Sequence, residues 1–564
     1  MRSIFTRVAL PILLVLAGIM TSSVAQAQDF EADARQLVAD YESRLRPLEI
    51  TAALAWWDAN TTGSDAAFAK KQEAETALDK ALSDTARFAK LKACDEAKLE
   101  DATLAREVRL MYLGALSKQV DPAILERMTA LSNTIDMKFN KYRAKVGGEE
   151  LADSAVRKAL KESKDTAERQ AVWEASKGVG AEVAPDLATL VDLRNQAAKK
   201  LGFANFQVMQ LYLNEQDPEA LLQLFDELDA LTKGPYTAAK AEIDAKLAAN
   251  CGVKIEELLP WHYQDPFFQE APAIEDTNLD AVYANVKIMD VCERFYEGVG
   301  LPIKDVLARS SLYEEPGKSP HAFCTDINRE GDVRVLANVV PNEYWMGTML
   351  HELGHAVYSS KNIPASVPYV VRTDAHILCT EGVAMQFERF SKSAEWLTEM
   401  GVKVDDPDAF NAAGARMRRN KLLIFSRWCQ VMFRFEKGMY EDPQQDLNKL
   451  WWDLVEKYQL VKRPEGRNAP DFASKIHVVS APCYYHNYMM GELFACQVHR
   501  ALCAKLYPGK DSDKVTYVGD QRVGQFMKER VFAPGRLLPW NELTRHATGQ
   551  ELSAESFAAD FAGE

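Results

Sequence analysis

The chain has 564 residues, 47% of them hydrophobic and 26% charged, and a formal net charge of −15. That mixture bounds a large globular protein with a substantial core and excludes a disordered or fibrous chain. Its acidic balance argues against nucleic acid or an anionic membrane surface as a partner.

Arg2 and Arg7 stand ahead of an apolar run from Val8 to Met20, and Ala25-Gln26-Ala27 follows. This is the layout of a secretory signal peptide over residues 1–27. The run is short for a bilayer span and no comparable one follows, so the expectation is an exported, periplasmic or secreted protein without a membrane anchor after cleavage. Residues 28–564 contain no linker, repeat or low-complexity tract and read as a single catalytic domain. Within it, 28–150 is a succession of helical patterns. Leu37, Val38, Tyr41 and Leu45 share one stripe, and the region reads as a helical lid over a cleft or as a plain helical layer. Gly147-Gly148 marks a break. Asp217-Pro218 opens a further helix, with Leu221, Leu224, Phe225 and Leu228 inside and Gly234-Pro235 as its stop. The fold class is mainly α.

The strand signal lies at His321–Ile327 and Val333–Val340, two β-rich runs joined by Asn328-Arg329-Glu330-Gly331 as a hairpin. Its edge is either structural or a place where an extended peptide pairs. Pro341-Asn342-Glu343 then starts a helix carrying His351-Glu352-Leu353-Gly354-His355. Four residues apart on a helix, the two histidines share a face and can grip one cation, and Glu352 can take a proton from a water beside it. Catalytic zinc needs a third protein ligand. Arg372 to Phe387 reads as a second helix, and Glu381 lies there among Val383, Ala384, Met385 and Phe387, where a carboxylate is costly to bury unless paired or bound to metal. Glu381 is the expected ligand. His376, as a helix-start or core histidine, and Glu388, as a solvated or supporting carboxylate, are its competitors.

Farther on, Lys475-Ile476-His477 and Tyr484-Tyr485-His486-Asn487-Tyr488 gather a fixed charge and several donors, suited to a carboxylate and a developing oxyanion or simply to an aromatic core. The nine cysteines form no C-x-x-C pair, which excludes a cysteine metal site, and their odd number leaves at least one unpaired.

The H-E-L-G-H helix, His321-Ala322 upstream, Trp451-Trp452, Lys457-Tyr458-Gln459, Lys475-x-His477, Tyr485-x-x-Tyr488 and Gln497-x-His499 together resemble the angiotensin-converting-enzyme family of peptidyl-dipeptidases, in its bacterial branch. The resemblance implies a large helical ellipsoid with a deep central cleft, whose N-terminal helices admit only short peptides. It implies release of dipeptides from peptide C-termini with one zinc ion held by His351, His355 and Glu381, and Glu352 as general base. By the same resemblance Lys475 and Tyr485 hold the terminal carboxylate, with Gln264 an approximate third partner. His477 and His321 meet substrate carbonyls, Ala322 pairs with substrate backbone, and Tyr488 steadies the oxyanion. The chain departs from the family in having Met385 where an aspartate usually supports a zinc histidine. Val455 and Asn487 replace arginines that bind activating chloride, so chloride activation is expected to be weak or absent. A carboxypeptidase or oligoendopeptidase of the same clan, or a silent peptide-binding protein, are the competing expectations. Oligomeric state is not legible.

Overall fold

A computed structural model of the chain describes residues 30–274 and 277–561. The signal-peptide expectation for 1–27 lies outside them. No helix among the described residues is long and apolar enough to cross a membrane.

The architecture is mainly helical, with two small two-stranded sheets. Helix runs from residue 30 and widens to a π-turn at Tyr41–Leu45 before α1 (Arg46–Thr62), α2 (Asp65–Leu82), α3 (Thr85–Glu96), α4 (Ala102–Leu116) and α5 (Pro122–Lys141). Ser64, Asp84, Asp101 and Asp121 each accept a backbone N–H at a helix start, which is why these short acidic and hydroxyl residues punctuate the region. Leu37, Tyr41, Leu45, Leu91, Leu104 and Val108 form a core of their own, touching the rest at Tyr369 and Val370. Helix α1 leans over the hairpin instead: Trp57 packs on Ile327 and Leu336, and Gly63, at φ 62°, abuts Gly317 so closely that a Cβ would overlap its carbonyl.

Gly147 and Gly148, both at positive φ, turn a hairpin of β1 (Ala144–Val146) and β2 (Glu149–Leu151) that strand patterning did not reveal. Three-residue strands are too short for an alternation to register. The long helices α6 (Thr166–Lys200) and α7 (Pro218–Cys251) follow. Asp217 caps α7 as expected, but Gly234-Pro235 does not stop it. The helix runs on to Cys251 because Tyr236, Ala239, Ile243 and Leu247 continue the buried stripe, and that burial outweighs the hydrogen bond a proline removes.

Strands β3 (Phe323–Asp326) and β4 (Val333–Leu336) pair antiparallel, with Phe323 opposite Leu336. The other side of β4 is bridged to Ser311, whereas no strand pairs with the other side of β3 among the described residues. Helix α8 (Glu343–Val357) starts on Asn342, whose side chain accepts from Trp345 N. Next comes α9 (Ile377–Glu388), capped by the His376 ring on Leu378 N, so that Arg372–Ala375 precede the helix rather than forming its first turn. After α10 (Pro407–Glu441) come α11 (Ile476–Ser480) and α12 (His486–Leu506). One continuous apolar core extends from Ile135 to Phe561 and encloses α8, α9, α10 and α12. All nine cysteines are free thiols.

Candidate metal centre

Small residues bring the metal helices together. A Cβ on Gly354 of α8 would lie 2.7 Å from the Ala384 Cα of α9, and one on Gly382 would lie 2.7 Å from the Gly491 carbonyl of α12. Such close backbone approach sets His351 and His355, one turn apart on α8, opposite Glu381 on α9. One ligand atom from each of the three lies within 4.8 Å of the others. Nε2 of His355 is 3.1 Å from Nε2 of His351, and Glu381 Oε2 is 3.5 and 3.9 Å from the two rings.

Behind the rings, Nδ1 of His351 is 3.1 Å from Glu388 Oε2 and Nδ1 of His355 is 2.8 Å from the Thr380 hydroxyl. Each Nδ1 is thus engaged behind the ring, and each Nε2 faces the cluster. Two lone pairs 3.1 Å apart beside a carboxylate repel unless a cation sits among them, and two imidazole nitrogens with one carboxylate are a zinc donor set. The electrostatics fit a cation. Burial works against a proton on His351, yet its bonds to Glu381 and Glu388 lift it well above its ordinary range, while burial and that neighbouring charge drive His355 down to about 4.

His376, the competing ligand, caps α9 and is not in the cluster. Glu388 supports His351 instead of meeting the metal. It is held in turn by Lys421 of α10, whose amine is 2.7 Å from Oε1. Burial alone would raise the Glu388 carboxyl, and Lys421 and His351 together bring it well below its usual range. Glu388 and Thr380 thus supply the support that Met385 cannot give, since a thioether accepts hydrogen bonds only weakly. Glu352 is buried beside the ligands, its Oε2 without any hydrogen-bond partner. Burial first, and the nearby carboxylates second, push it up to about 7.

A cavity of about 560 Å³ opens over these groups. Ala322, Phe323 and Cys324 line it along β3, with Tyr488 across from them on α12. His321 is exposed just before the strand. From Tyr488 a run of rings leads away: Tyr485 at 5.5 Å, then His477 at 5.2 Å from Tyr485, and the Lys475 amine at 5.4 Å from the Tyr485 ring. His477 Nδ1 is buried without a partner, and burial followed by the Lys475 charge pushes the ring down to about 4. Lys475 lines a second cavity of about 430 Å³, where its amine donates to Gln269. Gln264 lies elsewhere: at φ 66° it closes a loop by accepting from Ala273 N at 2.8 Å. Gln269, five residues on, is the glutamine that meets Lys475, and only the path of that loop distinguishes the two.

Compared with known proteins, the chain matches the sequence family described as angiotensin-converting enzyme over residues 28–263 and 264–562. It is 24% identical over 290 residues to angiotensin-converting enzyme of Theromyzon tessulatum, covering 49% of this chain and 46% of that protein. To the enzyme of Mesocricetus auratus it is 23% identical over 414 residues, 67% of this chain and 31% of that one. An angiotensin-converting enzyme-related protein of Drosophila melanogaster is 22% identical over 511 residues, 82% of this chain and 78% of the other. The matched stretch thus spans less than half the length of the first two relatives. Two histidines one turn apart that could hold a metal, a glutamate from the next helix, and a family match running through nearly the whole chain agree: this protein belongs to the angiotensin-converting-enzyme family.

Proposed function

We propose that the protein is an exported zinc metallopeptidase that releases dipeptides from the C-terminus of short peptides. The observation that carries this reading is the meeting of three zinc-type donors with an unpartnered, buried carboxylate in a cavity walled by an unpaired strand edge. Zinc held by His351, His355 and Glu381 supplies a Lewis acid that polarises the scissile carbonyl and acidifies a water. Glu352, with Oε2 free of donors, accepts the proton of the attacking water and returns it to the leaving amine. Tyr488 donates its phenol to the carbonyl oxygen as charge gathers there. Ala322 and the edge of β3 align an extended substrate, and His321 and His477 donate to its carbonyls. Lys475, with Gln269 and Tyr485, takes the terminal carboxylate, and its separation from the metal fixes the count of two residues. Val455 and Asn487 carry no charge, so activity is expected to respond little to chloride.

The test is mass spectrometry of a short peptide, as free acid and as amide, digested by the zinc-loaded chain. The free acid yields a dipeptide, the amide reacts poorly, and Glu352→Gln binds zinc without turnover, losing about 10²- to 10⁴-fold in rate. Release of single residues or internal fragments would sink the end-specificity, and no cleavage with zinc bound would sink the peptidase.

A further inference from the structure

The cavity over the metal ligands is lopsided in charge. Four carboxylates line it, Asp326, Glu352, Asp374 and Glu381, and no lysine or arginine does. A divalent cation offsets Glu352 and Glu381, which leaves Asp326 and Asp374 as the other carboxylates of the cavity wall. Asp326, the last residue of β3, accepts from Arg329 N at 2.9 Å and Ser360 N at 3.0 Å, contacts that fix its carboxylate without neutralising it. Asp374 accepts the Thr373 hydroxyl at 3.1 Å. Burial raises the Asp374 carboxyl, and the charges of Arg536 and Arg329 act against that rise. Arg329 donates to the carbonyls of Tyr369 and Val370 and pairs with Glu49, whereas Arg536 lies 4.0 Å from a Glu215 that Arg106 already holds and keeps its Nε unpartnered. The same cavity holds the unpartnered Glu352 Oε2, a mark of a space built to receive a ligand.

Position matters as much as sign. Asp374 lies just ahead of the start of α9, Glu381 meets the metal within the helix, and Glu388 at its end meets Lys421 of α10. Farther along α10, the Phe425 and Trp428 rings lie 6.1 and 6.0 Å from Tyr485, and Trp428 lies 5.4 Å from the Lys475 amine. Asp374 thus stands at the start of α9, and the contacts that lead to Lys475 leave from its end. A peptide whose carboxyl end sits at Lys475 presents what precedes the scissile bond to Asp374 and Asp326.

We infer that this acidic end of the cavity selects a cationic group on the amino-terminal side of the scissile bond, a basic side chain or a free α-amine, held by Asp374 and Asp326. The inference rests on the peptidase reading of the same site and names the substrate class that reading leaves open. The zinc-loaded full chain is assayed on acetyl-Xaa-Phe-Ala-Ala with lysine, glutamine or glutamate at Xaa, and on Ala-Phe-Ala-Ala with its amine free or acetylated. Lysine is favoured over glutamate in kcat/KM by about 10- to 100-fold with glutamine between them, or the free amine is favoured over the acetylated one, and added salt narrows the gap. The lysine arm identifies a side chain as the source and the amine arm identifies the chain terminus. In Asp374→Asn the preference shrinks, and in Asp374→Asn combined with Asp326→Asn it disappears. Zinc content and melting temperature show that each variant is folded, and Asp374→Asn alone leaves the two backbone contacts of Asp326 in place. Equal rates across both peptide sets in the parent overturn the inference, as does a preference that the folded double variant retains. A parent that cleaves none of these peptides overturns instead the peptidase reading beneath it.

Discussion

Glu388 shows how a single side chain redistributes a task within a site. Met385 is one turn beyond Glu381, while Glu388 is two turns beyond on the same face and reaches His351 Nδ1 from behind. Glu388→Gln keeps the size but gives up the charge that Lys421 and His351 both answer. Zinc affinity is then expected to fall by about 10- to 100-fold, read by competition with a chelator. The i, i+4 histidines were legible in sequence because a helix period encodes them locally, and Glu381 because a carboxylate in an apolar stretch calls for a partner. The part played by Glu388 was not, since whether it meets solvent, metal or histidine depends on where α10 brings Lys421. Elsewhere on α10, Glu436 is buried, accepts Cys483 N at 2.7 Å, and is pushed by burial from its ordinary 4.5 to about 8. The folded chain keeps that proton up to about 8 and the unfolded chain loses it near 4.5, so this stabilisation is full below 4.5 and is lost as pH rises through 8. Glu436→Gln should therefore melt close to the parent at pH 4 and above it at pH 9, by an amount on the order of a few kcal/mol.

At the scale of elements, closeness between helices matters more than any one contact. Gly382 follows a metal ligand directly, and its missing Cβ is what allows α9 against α12. Gly382→Ala is expected to cost about 1–3 kcal/mol through forced backbone shifts, and to weaken zinc binding because Glu381 moves with the helix. Gly114 is the contrasting case: it lies exposed within α4 with open space around it, so Gly114→Ala is expected to stabilise by about 0.5–1 kcal/mol. Thermal melting of the two variants side by side checks both signs. Helix starts and helix ends differ in what patterning could tell. Starts at Asn342 and Asp217 were readable because a cap is a local hydrogen bond. The continuation of α7 past Pro235 was not, because tertiary burial of Tyr236 and Ile243 decides it.

The whole molecule sets the distance between two sites that share no element: the candidate metal ligands stand on α8 and α9, and Lys475 stands just ahead of α11. Ordered motifs along the sequence gave the family, but the separation of those motifs in space, and Gln269 rather than Gln264 beside Lys475, depend on how one continuous core is packed. Burial brings the Lys475 amine down to about 8, so it is charged at neutral pH and loses its proton as the solution becomes mildly alkaline. If that charge anchors the carboxyl end, KM for free-acid peptides rises as pH passes about 8, whereas the matching amides, which have no carboxylate to hold, show no such rise. A bound carboxylate favours the charged amine, so the loss appears as a fall in the free enzyme's profile, kcat/KM, before kcat falls. Lys475→Met is expected to lower kcat/KM for free acids by about 10- to 1000-fold and to bring acids and amides to similar rates at every pH. An acid-to-amide ratio that neither pH nor this substitution alters would mean that the chain end is recognised elsewhere, and that the distance from Lys475 to the metal does not set the length of the product.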